Sequence, residues 1–244
     1  MYPNELVGGK RPRGGQVVRI IGHDGRTLGR GISDNGWLAV RRFRNDDGPI
    51  DATFLRARLE GALSLRKALI SEETTAWRWV HGENDGLPGI RINVWDDHVT
   101  LTLDSPSLRP LVSGLVDAVM GLVKPRTIHL TLRPDPRDNQ AAASSETEQL
   151  IGSHLAGPVT VLERGVRFLV NPDQGHDIGL FPDMRDNRRW FDPHWRDRSV
   201  LNLFSYTGAF SVFALHRGAF TFISSEFESA MPGSAELRVG VSRI

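Results

Sequence analysis

Residues 199–226 constrain the fold more than any other stretch. Ser199–Phe204 is an apolar run of strand length, the kind that a sheet buries. A small-residue turn leads into an apolar helix, Gly208–Arg217, which stops at Gly218. Phe220–Ser224 is a second β-rich run with Glu226 at its end, eighteen residues after Gly208. Strand, helix and strand in this order read as one βαβ unit with parallel strands. A glycine in the first turn lets backbone approach a ligand, and an acid after the second strand can accept both hydroxyls of a ribose. A lone glycine in place of G-x-G-x-x-G fits a pyrophosphate-bearing dinucleotide poorly. S-adenosylmethionine has no phosphate and needs fewer glycines. The same pattern also occurs as an ordinary strand–turn–helix in α/β proteins, so pattern alone leaves both readings open.

The rest of the chain alternates between strand and helix signals. Gln16–Ile21, Thr27–Ile32 and Trp37–Phe43 read as strands, with turns at His23–Arg26 and Ser33–Gly36. Strands this short, separated by glycine turns, predict a small β-barrel or sandwich. Asp51–Leu69 changes period: Phe54, Leu55, Leu59, Ala62, Leu63 and Leu65 recur at helical spacing, and Asp51 is the expected N-cap. Thr75–Val80, Gly89–Trp95, Val99–Leu103 and Thr127–Leu132 read as strands and Ser107–Val123 as a helix, which predicts an α+β middle region. Asp135–Thr147 reads as a long loop. Val159–Glu163 and Val166–Val170 form a hairpin about Arg164-Gly165, and Met184–Trp190 reads as helical.

Charge is unevenly spread. The net charge is +1, yet residues 1–44 carry nine Lys/Arg against Glu5, Asp24 and Asp34. A basic front end points to a polyanion, with nucleic acid the foremost case. The other reading is a solvated surface in an arginine-rich chain, since Arg far outnumbers Lys throughout. No apolar run is long enough to span a bilayer, and Met1–Gln16 is polar without an apolar signal core, so a cytoplasmic protein is expected. With no cysteine, disulfides, thiolate metal sites and a cysteine nucleophile are excluded within these residues.

Other chemistries find little support. The eight histidines show no H-E-x-x-H or other close-spaced ligand pattern, so no metal is expected. Ser205 is not in G-x-S-x-G, and no G-x-x-x-x-G-K-[ST] occurs. His81, Glu83 and Asp85 could form an acid–base cluster, but a polar turn tied by local hydrogen bonds is the better reading. Trp190 and Trp195 stand among Arg188, Arg189, Arg196 and Arg198. They could stack on bases, or pack a helix on the core with arginines outside; the second is slightly preferred.

The residues themselves carry a resemblance. Asn202-Leu203-Phe204-Ser205-Tyr206-Thr207-Gly208-Ala209-Phe210 resembles the S-adenosylmethionine motif of class I large-subunit rRNA methyltransferases of the 5-methylcytosine type. Four further stretches resemble the same family in order. Gly29-Arg30-Gly31 through Val40-Arg41 is similar to its N-terminal PUA domain, a small RNA-binding β-barrel. Residues 78–89 resemble the opening of its central domain, and Glu163–Phe168 the hairpin leading to its catalytic domain. Gly175–Arg185 resembles the segment before the cofactor motif, departing from it at Asp177, Pro182 and Met184. Glu226 stands where aspartate is usual and keeps the carboxylate.

The resemblance implies a multidomain α+β and α/β chain. Residues 1–70 would be a PUA-like barrel, 71–165 a central α+β domain, and 166–244 the start of a Rossmann-like methyltransferase domain. It implies S-adenosyl-L-methionine as cofactor, held by Asn202, Phe204, Ser205, Tyr206, Thr207, Gly208, Ala209, Phe210 and Glu226, with Asp183 and Arg185 nearby. Large-subunit rRNA is the expected partner, met by Arg30, Arg41, Arg42 and Arg44, and a homodimer is a further expected partner. The 46 residues from Ser199 onward are few for a doubly wound sheet, so a truncated or frameshifted chain without activity of its own is expected. The alternative function is a non-catalytic RNA-binding protein or remnant.

Overall fold

The computed structural model describes residues 1–5, 12–133, 146–175, 178–203 and 205–225, with backbone alone at 146 and 221–225. It divides into two compact units, Met1–Ile178 and Gly179–Ile244.

The first unit opens with β1 (Val17–Ile21), β2 (Thr27–Ser33) and β3 (Val40–Arg44), an antiparallel sheet in that order. The expected barrel is not closed among the described residues. The reason lies in what the strands cover. Ile32 and Phe43 are buried in the same core as the central sheet, so closure on themselves is not needed to remove them from water. Strand β3 starts three residues later than the apolar pattern, because residues 35–37 bend and leave Trp37 exposed.

Helix α1 (Ala52–Lys67) begins as expected. The Asp51 carboxylate accepts the Phe54 amide at 2.9 Å, a cap worth about 1 kcal/mol. Phe54, Leu55, Leu59, Ala62 and Leu63 are buried along one face. The indole of buried Trp79 donates to the Leu59 carbonyl at 3.0 Å, tying the helix to the sheet beneath it.

That sheet has five strands in sequence order: β4 (Ala76–His81), β5 (Ile90–Trp95), β6 (His98–Leu103), β7 (Thr127–Leu132) and β8 (Glu146–Ile151). Only β6 and β7 pair in parallel. Period-two alternation sends Ile90, Ile92, Val94, Val99, Leu101, Leu103, Ile128 and Leu130 into the core beside α1 and α2 (Val112–Leu122). The opposite positions, Asn93, His98, Thr100, Thr127, His129 and Thr131, are polar and buried as well. They find partners within the fold: His98 Nδ1 lies 2.7 Å and His129 Nε2 3.0 Å from the Thr127 hydroxyl, the Trp95 indole donates to Thr100 and the Arg78 guanidinium to Asn93.

Two details depart from the sequence reading. The helix expected over Ser107–Val123 starts as a 3-10 segment, Pro106–Leu111, because Pro110 has no N–H to continue an α-helical ladder. Strand β8 was expected as loop through residue 147; its polar sequence Glu-Thr-Glu-Gln suits an edge strand, which carries little apolar signal. Most of the expected 135–147 loop lies outside the described residues. The hairpin β9 (Val159–Glu163) and β10 (Val166–Val170) forms as read.

In the second unit a 3-10 turn, Pro182–Met184, precedes α3 (Arg185–Trp190), so the helix expected over 184–190 forms one residue late, and α4 (Asp192–Trp195) follows it. Strand β11 (Ser199–Leu203), helix α5 (Ala209–His216) and strand β12 (Thr221–Ser225) follow, with β11 and β12 parallel. The βαβ reading is therefore realised. The buried character of the first strand is not: Leu201 and Leu203 are 63% and 57% exposed, since β11 pairs with β12 alone among the described residues.

Candidate functional site

The turn between β11 and α5 is the natural ligand edge of a parallel sheet, at the carboxyl end of its strand. Tyr206 adopts a left-handed conformation, φ 52°, and Gly208 follows at φ 81° as the N-cap of α5. A left-handed tyrosine is costly by about 1–3 kcal/mol and needs support from its surroundings. The segment after Ile178 supplies it. The Gly179 amide donates to the Tyr206 hydroxyl at 3.1 Å, and the Thr207 hydroxyl donates to the Gly179 carbonyl at 2.6 Å. The Phe181 ring lies 5.0 Å from that of Tyr206. Residues 179–181 thus strap the turn from outside.

Arg188 holds the strap in turn. It is buried, donates to the Phe181 carbonyl at 2.9 Å, and places its guanidinium 5.5 Å from the Phe210 ring and 5.9 Å from Phe213. Asn202 donates to the buried Ser211 hydroxyl at 2.9 Å, pinning the end of β11 to α5. Gly208 has no side chain to cap the amides of Ala209 and Phe210 at the start of α5.

The expected cofactor residues therefore fall into groups. Asn202, Ser205, Tyr206, Thr207, Gly208, Ala209 and Phe210 are brought together by the turn and the first turn of α5. Asp183 is exposed in the 3-10 turn, and Arg185 opens α3 paired with Asp186 at 3.3 Å. Phe204 and Glu226 lie outside the described residues. Gly179, Phe181 and Arg188 were not among the expected site residues. Gly179 and Phe181 stand in the motif-like segment 175–185, which was the available signal.

The expected RNA-binding arginines fare differently. Arg41 donates to Asp34 at 2.7 Å, deep enough that Asp34 is 1% exposed. Burial works against the Asp34 carboxylate, but bonds from the Gly36 amide, the Ser105 hydroxyl and Arg41 outweigh it and hold the group below its ordinary range. Arg44 grips Asp46 through two bonds of 2.5 and 3.0 Å, and that carboxyl is lowered to about 2, chiefly by Arg44 and next by the Gly48 amide. Arg30 pairs with Asp47 at 2.7 Å. Arg42 is exposed and has no acidic partner among the described residues. The acids that answer the basic front end, Asp46 and Asp47, lie just past residue 44 in sequence.

The His81–Asp85 cluster is a polar turn. Asp85 accepts two bonds from Arg66, at 2.6 and 2.7 Å, and one from the His81 amide at 2.6 Å. Among the described residues no three His, Asp or Glu side chains converge as metal ligands, and no helix is long and apolar enough to cross a membrane.

A parallel strand–turn–helix–strand unit with a glycine turn is the βαβ building block of a Rossmann-type sheet. Residues 123–231, which contain it, match the family model of S-adenosylmethionine-dependent methyltransferases. Over 219 residues, 88% of this chain, the sequence is 35% identical to Ribosomal RNA large subunit methyltransferase I of Alteromonas mediterranea. It is 33% identical over 216 residues, 87% of the chain, to the protein of the same name from Shewanella denitrificans. The chain spans about half the length of these relatives, 54% of each. Among solved structures, a methyltransferase-type protein of Streptococcus mutans aligns with a TM-score of 0.77 at 23% identity, over 88% of this chain and 55% of that one. A second, with the same TM-score and 22% identity, was solved with SAH bound and has the same coverage. At such identities the likeness speaks for the fold.

Proposed function

We propose that this chain binds S-adenosylmethionine and large-subunit rRNA as part of a methyltransferase, with cytosine C5 the target by resemblance. The observation that carries the reading is the coincidence of the methyltransferase match over 123–231 with the parallel β11–α5–β12 unit and its strapped turn. The cofactor supplies an electrophilic methyl group on its sulfonium. The residues present suit it. The first amides of α5 can take its carboxylate, Gly208 keeps the approach open, and Tyr206 and Thr207 are already locked in place by Gly179. Glu226 is the acceptor proposed for the ribose hydroxyls. The reading keeps residues 1–70 as the RNA-holding part, 71–165 as a central part and 166–244 as the cofactor part, in a cytoplasmic protein, with a homodimer as a proposed assembly.

Methyl transfer to cytosine C5 needs a nucleophile that adds to C6, and these 244 residues hold no cysteine. The chain by itself is therefore expected to bind both partners without transferring the methyl group to C5. Calorimetry with S-adenosylmethionine and gel shift with large-subunit rRNA test the proposal. Binding of both supports it. RNA binding without cofactor binding by a folded chain would establish the non-catalytic RNA binder instead.

A further inference from the structure

Trp190 and Trp195, five residues apart in sequence, part company in the structure. Trp195 is 5% exposed and packs 6.2 Å from Phe213, whereas Trp190 is 66% exposed. Between them Phe191 lies nearly parallel to Trp195, 6.1 Å away, and meets Trp190 edge-on at 4.9 Å. The His194 ring sits 5.5 Å from Trp190. An aromatic series thus runs from the interior to solvent and ends on an indole in water. Its inner part is anchored to the cofactor unit, because Phe191 also packs edge-on against Phe210 in the first turn of α5.

The rim is basic. Arg189, Arg196 and Arg198 are exposed, and none has a carboxylate partner among the described residues. Nearby acids are mostly spoken for: Asp186 pairs with Arg185, and Asp192 with Arg217. Asp197 offsets part of the remaining charge. An exposed indole on a segment that carries three guanidiniums without a carboxylate partner suits a ligand with both an aromatic face and phosphates. An acidic protein partner would satisfy the arginines but gives no reason for the indole to stand out, and a second copy of this basic surface would repel it.

We propose that Trp190, backed by Phe191 and His194, is a stacking platform for an unpaired base of the RNA, with Arg189, Arg196 and Arg198 meeting the flanking phosphates. This deepens the methyltransferase reading and rests on it for the identity of the RNA. Duplex RNA keeps its bases stacked inside and cannot use such a platform. The discriminating property is therefore strandedness.

The test uses the full chain and two probes, a single-stranded oligouridylate of about 12 nucleotides and an RNA duplex of the same length. Trp190→Ala is expected to weaken the single strand roughly tenfold, Trp190→Phe to restore most of that loss, and the duplex to respond little to either. Circular dichroism verifies that both variants fold. Equal single-strand affinity in wild type and Trp190→Ala would overturn the platform, as would equal losses for both probes. A change in sedimentation with RNA affinity untouched would also overturn it, by assigning Trp190 to a protein interface. Calorimetry with S-adenosylmethionine on the same samples separates the two ideas: its failure in wild type bears on the methyltransferase reading, while the strandedness result alone judges the platform.

Discussion

Tyr206 and Gly179 hold each other across the candidate cofactor turn: the Gly179 amide reaches the Tyr206 hydroxyl at 3.1 Å, from a residue 27 positions earlier. Thr207 returns the contact to the same residue's carbonyl. A left-handed tyrosine is thus fixed before any ligand arrives. Pre-ordering of this kind improves affinity because the ligand need not order the turn itself. Tyr206→Phe and Thr207→Val each remove one such bond, worth about 0.5–1.5 kcal/mol. The expected result is a loss of about three- to tenfold in S-adenosylmethionine affinity by calorimetry, with the melting temperature little changed.

Gly208 faces a different demand. At φ 81° any side chain is strained, by about 1–2 kcal/mol, before it meets a ligand. Gly208→Val adds a branched carbon to that strain at the start of α5. It should lower the urea midpoint and abolish measurable cofactor binding. Glu226→Ala should cost at least about tenfold, consistent with charge-assisted bonds to two hydroxyls. Affinity equal to wild type in that variant would remove Glu226 from the site.

The arginines of the N-terminal sheet should separate by partner. Arg42 is free to meet a phosphate, so Arg42→Ala should weaken RNA and reduce the slope of log affinity against log salt by about one. Arg41 is committed to Asp34, so Arg41→Ala should act on the melting curve instead. Gel shifts across a salt series, alongside thermal melts, distinguish the two effects.

Asp34 makes the first unit acid-sensitive. Its folded carboxyl lies below the ordinary 3.8, so its stabilisation is complete above that value and is lost as pH falls through the folded one. Asp34→Asn leaves Arg41 largely buried without its counter-charge and should cost about 3 kcal/mol at neutral pH. Urea unfolding at a series of pH values should show the gap between wild type and variant narrowing in acid. A gap independent of pH would mean that the carboxylate's charge is not what stabilises this site.

What could be read from the chain divides along physical lines. Asp51 as a cap, the alternating Val99–Leu103 strand and the βαβ order at 199–225 are local patterns, and each appears in the structure. Strand β8 escaped because an edge strand need not be apolar. The barrel failed to close because Ile32 and Phe43 found a neighbouring core, a fact of tertiary packing that no short window contains. Pairing is hidden for a related reason: a charge count knows nothing of it, and Arg30, Arg41 and Arg44 each have an acid in place. The turn at 205–208 was legible, whereas its strap comes from residues 179–181 and becomes visible only when the chain is folded.

The carboxylate of Asp34 also receives the Ser105 hydroxyl at 2.7 Å, from a residue just beyond β6. One buried acid therefore clasps the edge of the N-terminal sheet and the end of a central strand, over the core that the two already share. A nucleic acid held by Arg42 would be carried on a strut instead of a tether. Its bearing on the five-stranded sheet would be set at folding, and the search that a swinging arm must make for each substrate would be spared.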